Sequence, residues 1–165
     1  MKKVRTCFLI SLLVIGGLAI VAACQGKQRR PSRYLIPEGY VGWVRINFRV
    51  KDALPIPMVD GRYLFKFPSS GLIETSSDIE YGWASNDYYY YSGDVRRKIV
   101  GTGWGKGGMI WAGATGWSGN NFEERTNVNE EFFVGPEEEY RKFADEKDGN
   151  YQPVIGNVKD RKPKS

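Results

Sequence analysis

Carboxylates are the side chains through which this sequence of 165 residues could do chemistry, because it contains no histidine and only two cysteines. The absence of imidazole excludes Ser-His-Asp and Cys-His catalysis, histidine metal ligands and a histidine pH switch. Two suitably placed carboxyl groups could carry out glycoside hydrolysis. Five acids of the central region are candidates: Asp60, Asp78, Glu80, Asp87 and Asp94. No spacing singles out a pair, and Asp60 and Asp94 are typical turn residues. We therefore predict that the protein is not an enzyme and has no catalytic residue.

Sites for metals and nucleotides are not indicated either. No calcium loop of the D-x-D-x-D-G type is present. Gly103–Gly108 matches the G-x-G-x-x-G pattern of phosphate-binding loops, but Met109–Ala112 then predicts a strand, which offers no helix N-terminus to an anion. A P-loop also fails, because Gly107 follows Lys106 where serine or threonine would hold magnesium. We predict no metal, no cofactor and no nucleotide.

The N-terminus predicts export from the cytoplasm. A basic start precedes an uncharged run over residues 6–23. The run ends in Val21-Ala22-Ala23-Cys24, which resembles the lipobox of bacterial lipoproteins, where an aliphatic residue and two small ones precede the cysteine that receives the lipid. We predict a lipoprotein signal peptide over residues 1–23 and acylation of Cys24, with palmitate as a typical chain. The alternative is an uncleaved helical anchor, because the run is near the lower length limit for a transmembrane helix.

Cleavage before Cys24 would change the cysteine chemistry of the chain. It would remove Cys7, so the mature protein would have no free thiol, no disulfide and no cysteine-based zinc site. The next residue is Gln25, not the aspartate that retains enteric lipoproteins in the inner membrane. By this resemblance we predict an extracytoplasmic protein anchored to membrane lipid. The membrane would be the outer membrane if the host has one, and otherwise the outer face of the cell membrane.

The net charge of +5 is concentrated before the predicted domain. Residues 33–144 hold 13 basic and 15 acidic residues, whereas the polar segment 24–32, which predicts a flexible tether, contains Lys27, Arg29 and Arg30. Since the domain has no basic surplus, nucleic acid is excluded as a partner. The tether cations could attract anionic lipid headgroups, by about 1 kcal/mol each, or they could serve only to keep the linker soluble.

Period-two alternation predicts strands in the region 33–144. From Val44 onward, alternate apolar residues share one face of the first strand, and polar residues share the other. The Asp-Gly pair at 60–61 is a hairpin turn signal. Four strands are predicted in this way: Tyr40–Val50, Arg62–Phe67, Leu72–Ser76 and Glu130–Val134.

A short helix is predicted at Glu137–Ala144. Pro136 suits a helix start, and glutamates in the first turn with cations near the end favour the helix dipole. Tyr140 and Phe143 are three residues apart, so they share a face that we expect to pack on the sheet. Residues 145–165 are rich in charge, glycine and proline and are predicted to be disordered.

Two resemblances bear on the fold. The stretch Asp60–Gly71 resembles the D-G-x-Y-x-F-x-x-P-x-x-G signature of transthyretin-like, carboxypeptidase-regulatory-type β-sandwiches, which implies a sandwich and carries no catalytic residues. A wider resemblance, over residues 33–143, is to the uncharacterised DUF6843 type of bacterial secreted or lipid-anchored proteins. It rests on four segments: Tyr34–Val44, Asp60-Gly61, Gly105–Trp111 and Phe132–Tyr140. We predict an all-β, β-sandwich-like antiparallel domain with one short C-terminal helix.

Aromatic residues dominate the candidate surface for a ligand or partner. Its predicted members are Trp83, Trp104, Trp111, Trp117, Tyr89, Tyr91 and Arg96. Exposed rings could stack on the sugars of an envelope glycan. The same residue types could instead dock a protein, because Tyr, Trp and Arg are common in interface hot spots. The alternative is that the aromatics pack in the core, since aromatic residues favour strands, and that the cations around Arg96 are a solvated face.

The function predicted from these observations is a non-catalytic binding or structural role at the cell envelope. One alternative is a glycan-binding module that uses surface tryptophans and tyrosines. Another is an inhibitor or an immunity-type lipoprotein.

Overall fold

The structure of the chain, a computed structural model, describes residues 27–99, 108–121, 124–144 and 155–157. Within these residues it contains ten strands and one helix. The strands are β1 (Ser32–Pro37), β2 (Gly42–Asn47), β3 (Met58–Val59), β4 (Arg62–Lys66), β5 (Leu72–Glu74), β6 (Asp87–Ser92), β7 (Val95–Lys98), β8 (Ile110–Ser118), β9 (Thr126–Val134) and β10 (Gly156–Asn157). The helix is α1 (Glu137–Ala144). In this described part of the chain, no helix combines the length and the apolar character needed to cross a membrane.

The described residues divide into a small unit and a large unit. The small unit contains residues 27–29 and 81–84, where Gln28 pairs with Trp83 in an isolated parallel bridge. The large unit contains the ten strands and α1. Its first strand begins at Ser32, one residue earlier than the domain start predicted from the sequence.

Two sheets make up the large unit. The first has the strand order β3-β4-β1-β6-β7, and the second has the order β10-β2-β9-β8, with β5 also paired to β2. The prediction of an all-β, sandwich-like domain with one short helix is confirmed. The sheets are mixed, however, because β1 runs parallel to both β4 and β6, and β5 runs parallel to β2. Apolar alternation is the same in parallel and antiparallel ladders, so the pattern cannot reveal strand direction.

The main core is built from side chains of both sheets. Tyr34 of β1 stacks on Phe65 of β4 and on Tyr88 of β6, with ring centroids 5.1 and 4.8 Å apart. It also meets Phe132 of β9 edge-on at 5.4 Å. Burial of an aromatic side chain of this kind contributes about 1.5–3 kcal/mol. The apolar face predicted for the first strand lies in this core with Val44, Ile46 and Phe48.

A second cluster lies on the opposite face of the second sheet, beneath α1. Trp43, Trp111 and Phe133 are buried there, and Tyr140 of α1 stacks on Trp111 with ring centroids 5.6 Å apart. The helix spans the predicted residues, and the predicted packing of Tyr140 on the sheet is confirmed. The predicted packing of Phe143 concerns a side chain outside the described set.

Part of the predicted C-terminal tail takes part in the second sheet. β10 pairs antiparallel with β2, so that Gly156 lies opposite Trp43 and Asn157 lies opposite Gly42. The remainder of the region 145–165, apart from Ile155, lies outside the described residues.

Candidate functional site

The predicted tryptophans divide between exposed and buried positions. Trp83 is 79% exposed and belongs to the small unit, and Trp117 in β8 is 44% exposed. Trp111 is 4% exposed, and its Nε1 donates a hydrogen bond to the carbonyl oxygen of Gly135 at 2.7 Å. Because its ring is buried in the cluster beneath α1, Trp111 is not part of an exposed surface. Trp104 lies outside the described residues.

The tyrosines and the arginine of the predicted surface lie together in the first sheet. Tyr91 of β6 is the cross-strand partner of Arg96 of β7, and Tyr89 lies on the same strand face as Tyr91. The Tyr91 hydroxyl donates to the carbonyl oxygen of Phe67 at 2.8 Å, and Lys66 Nζ lies 4.9 Å from the centre of its ring. The hydroxyl and one face of the Tyr91 ring are therefore already engaged, which leaves less of this side chain for a sugar.

A cleft of about 710 Å³, lined by polar residues together with Phe48, Val50 and Val128, opens at one end of the second sheet. It is formed where β2 ends and β9 begins, with β5 along one side. Among the described residues, three arginines, three asparagines and a glutamate line it: Arg45, Arg49, Arg125, Asn47, Asn127, Asn129 and Glu74. We call this feature the arginine–asparagine cleft. Tyr140 of α1 packs on Trp43 and Trp111 farther along the same sheet.

Strand register places three of these polar side chains in one row. Ile46 and Phe48, on either side of Asn47, lie in the main core, so Arg45 and Asn47 point to the outer face. Asn47 lies opposite Asn129 of β9 on one side and opposite Glu74 of β5 on the other. Neighbouring strands are about 4.8 Å apart, so the row repeats at that spacing across the floor of the cleft.

Ion pairs hold the arginines of the cleft. Arg45 donates from Nε and Nη2 to one carboxylate oxygen of Glu131, at 3.0 and 2.7 Å. Arg49 donates to both carboxylate oxygens of Asp78, and Arg125, whose side chain is 7% exposed, lies 3.6 Å from the same carboxylate. Because charge-assisted bonds of this kind are directional, they fix the planes of the guanidinium groups in the cleft wall.

The backbone of the cleft is unusual at two positions. Arg49 and Asn127 have φ angles of +58° and +50°, in the left-handed region. Asparagine tolerates this region, whereas an arginine there costs about 1–2 kcal/mol. Main-chain hydrogen bonds hold the segment, from Phe48 N to Val128 O at 2.8 Å and from Arg49 N to Ser77 O at 3.0 Å. Such conformations concentrate at binding and catalytic sites, where the surrounding structure offsets their cost.

Comparison with protein families assigns the chain. The model of a family of unknown function, DUF6843, matches residues 28–147. The chain belongs to the DUF6843 family. The resemblance found over residues 33–143 is thereby confirmed, and the family description assigns no activity to any residue. The resemblance of Asp60–Gly71 to transthyretin-like domains stays a prediction.

Among solved structures, the DUF6843 chain is similar to a crystal structure of a "putative lipoprotein" from Bacillus anthracis. The TM-score is 0.53, and the two are 23% identical over 74% of this chain and 80% of that chain. At this identity the likeness shows a shared fold. No match was found among curated proteins.

Within the described residues, four of the five acids considered for catalysis lie in ion pairs in the DUF6843 domain, and Asp94 is the exception. Asp78 is shared by the two arginines described above, and three further pairs are Asp60 with Arg33, Asp87 with Arg62 and Glu80 with Arg30. In the described ranges, no group of three or more His, Cys, Asp or Glu side chains is placed to hold a metal ion. These carboxylates neutralise cations between strands and loops, which is a structural use of their charge.

The arginine–asparagine cleft was missed by sequence reasoning, although its signal is present. Arg45, Asn47 and Arg49 share the polar face of the first predicted strand, and Asn127 and Asn129 alternate in the same way. Each set by itself is typical of a solvated strand face. Only the pairing of β2 with β9 in the DUF6843 fold joins the two sets, and sequence alternation does not specify which strands pair.

We expect Asp78 to contribute to stability at neutral pH and not in acid. Hydrogen bonds from Arg49 hold the pKa of the Asp78 carboxyl below its usual range, although burial raises this pKa. The hydrogen bond from the Ile79 N–H and the positive charge of Arg125 also lower it. Folding therefore favours the ionised form. The resulting stabilisation is present above the unfolded pKa of about 3.9 and is lost as the pH falls through the lower folded pKa.

The substitution Asp78→Asn tests this expectation. It should lower the free energy of unfolding at neutral pH by no more than about 1 kcal/mol, because the side chain is half exposed and solvent screens the pair. The difference from the wild type should vanish in acid. Urea denaturation measured from neutral pH down to acid checks both points, with Asp94→Asn in the β6–β7 turn as the charge-matched control. A difference that persists unchanged in acid would contradict the assignment.

Proposed function

We propose that the chain is an extracytoplasmic lipoprotein, anchored to membrane lipid through acylated Cys24, with a non-catalytic binding role at the cell envelope. The observation that carries the proposal is Val21-Ala22-Ala23-Cys24 at the end of an uncharged run behind a basic start. Small residues before the cysteine suit the peptidase, and the thiol accepts the lipid. The proposed location is the outer membrane if the host has one, and otherwise the outer face of the cell membrane.

The position of the domain relative to Cys24 along the chain supports this proposal. The DUF6843 match begins at residue 28, and the first strand begins at Ser32. Even a fully extended segment from Cys24 to Ser32 spans at most about 29 Å. A domain joined to the lipid through so short a segment would stay close to the membrane surface. The name of the Bacillus anthracis neighbour agrees with this proposal.

The binding role is supported by the open, polar outer face of the second sheet. A cleft of about 710 Å³ lined by arginine and asparagine side chains offers hydrogen-bond donors and acceptors to a ligand. Four of the five carboxylates considered for catalysis are matched to a cation, which favours recognition over acid–base catalysis.

Replacement of Cys24 by serine tests the anchor. Cells that express the full chain would be labelled with a palmitate analogue, and the protein would be followed by detergent phase partition and by its mobility on gels. We expect the wild type to be labelled and Cys24→Ser to lose all label and accumulate as the unprocessed precursor.

The matched control is Cys7→Ser, which changes the other cysteine and should leave labelling and processing intact. A wild-type chain without label, or label retained in Cys24→Ser, would contradict the proposal. A membrane-bound, unlabelled and unprocessed wild type would identify the uncleaved helical anchor instead.

A further inference from the structure

We propose that the arginine–asparagine cleft binds a neutral, polyhydroxylated ligand, a glycan chain that lies across strands β5, β2 and β9. This inference deepens the binding role proposed above and names its ligand class. It differs from the aromatic platform predicted from the sequence, because the groups that recognise the sugar here are planar polar side chains on a sheet face.

The row formed by Glu74, Asn47 and Asn129 is the first argument. It crosses three adjacent strands at a spacing of about 4.8 Å, which is comparable to the length of one pyranose ring in an extended chain. An amide offers two N–H donors and one acceptor, and a carboxylate offers acceptors only. Such a row can therefore meet the hydroxyl groups of successive sugars, which both donate and accept.

The hydrogen-bonding state of this row is the second argument. Among the described residues, no hydrogen bond or ion pair uses the side chain of Asn47 or of Glu74. Asn129 Nδ2 donates to the carbonyl oxygen of Asn127 at 3.0 Å, which orients its amide. Arg45 is held by Glu131 through Nε and Nη2, so its Nη1 donors are fixed in direction. Groups oriented before binding lose less entropy when a ligand arrives.

The charge balance of the cleft decides between a neutral and an anionic ligand. The charged residues of the lining are Arg45, Arg49, Arg125 and Glu74. Glu131 and Asp78 lie outside the lining but form ion pairs with its arginines. Glu131 and Asp78 already compensate the guanidinium groups with which they pair. Glu74 adds a negative charge to the lining, so an anion entering the cleft would meet no net attraction. A neutral polyol can use the same donors and acceptors without that penalty.

The strand beside the row, β8, leaves room for an elongated ligand. Gly116 of β8 is the cross-strand partner of Asn129, and a Cβ there would lie 3.0 Å from Asn129 Oδ1. The absence of a side chain at Gly116 therefore leaves room for the Asn129 amide beside β8. Ala114, two residues earlier and opposite Glu131, also presents a small side chain. A chain leaving the row past Asn129 would not be blocked by a large side chain at either position.

Calorimetric titration of the full chain in detergent micelles tests the proposal. The neutral probes are maltohexaose, cellohexaose and chitohexaose, and a heparin hexasaccharide is the anionic probe. We expect at least one neutral hexasaccharide to bind. Asn47→Ala and Asn129→Ala should each weaken that binding about tenfold, the effect of losing a hydrogen bond to the ligand. Asn47→Asp keeps the shape and removes the donors, and it should weaken binding to a similar extent. Thermal melts establish that each variant is folded.

The control is Trp117→Ala, which removes an exposed ring outside the cleft and should leave the affinity unchanged. The proposal would be overturned if no neutral hexasaccharide bound, if the heparin hexasaccharide alone bound, or if Trp117→Ala weakened binding while the asparagine variants did not. The last result would instead support an aromatic platform.

The titration does not depend on acylation, so a chain that lacks the lipid but binds sugar would refute the anchor alone. A chain that is acylated but binds no sugar would refute the cleft alone.

Discussion

Replacement of Gly71 by alanine is expected to lower the free energy of unfolding by about 2–5 kcal/mol. Gly71 has a φ of +74°, and a Cβ at this position would lie 2.1 Å from Tyr40 Oη and 3.0 Å from the carbonyl oxygen of Trp43. Those two atoms form a buried hydrogen bond of 2.6 Å. The alanine would therefore add a steric cost of about 1–3 kcal/mol to the backbone cost of about 1–2 kcal/mol. Urea denaturation measures the sum.

Gly61→Ala is the matched control for this substitution. Gly61 has almost the same backbone angle, a φ of +71°, but a Cβ at this position would have no other atom within 4 Å. Only the backbone cost of about 1–2 kcal/mol should appear. Equal losses in the two variants would contradict the close packing of Tyr40 and Trp43 against Gly71.

Phe133→Ala is expected to destabilise the protein by about 3–5 kcal/mol, the usual cost of deleting a buried phenylalanine ring. Phe133 is 0% exposed, and its ring lies 5.8 Å from that of Trp43 and 5.7 Å from that of Tyr140. Its loss would leave a cavity between the second sheet and α1. Chemical denaturation gives the energy, and tryptophan fluorescence reports the altered surroundings of Trp43.

The control for the phenylalanine deletion is Val95→Ala. Val95 is 72% exposed, so its truncation should change the stability by less than about 0.5 kcal/mol. A loss below about 1 kcal/mol for Phe133→Ala would mean that the helix and the tryptophan layer do not form a packed cluster.

Local patterns were sufficient to predict several elements of this fold. The Asp60-Gly61 signal forms the β3–β4 turn, with φ angles of +52° and +71° that match the preference of such turns for these residue types. The helix α1 has the predicted bounds, because Pro136 and the charge distribution act within a few residues of one another. Information of this kind is contained in adjacent residues, so a sequence reveals it directly.

Features that depend on distant pairing could not be predicted in the same way. β1 lies between β4 and β6, and its apolar run Tyr34-Leu35-Ile36 does not specify which strands lie beside it or in which direction they run. Trp111 lies in a glycine-rich segment, from which an exposed position is predicted. In the structure it is buried, because Tyr140 of the C-terminal helix α1 packs on it. The arginine–asparagine cleft needs β2, β5 and β9 side by side. In each case the deciding contact joins residues far apart along the chain.

The central place of β1 also determines how the domain responds to force. β1 begins at Ser32 and has a parallel neighbour on each side. A pull on Ser32 along the axis of the strand loads the hydrogen bonds of both ladders together, because those bonds lie across that axis. The strand could leave the sheet only by shearing many bonds at once, whereas an edge strand pulled from a turn unzips one bond after another. We therefore expect β1 to resist such a pull better than an edge strand of the same sheet would.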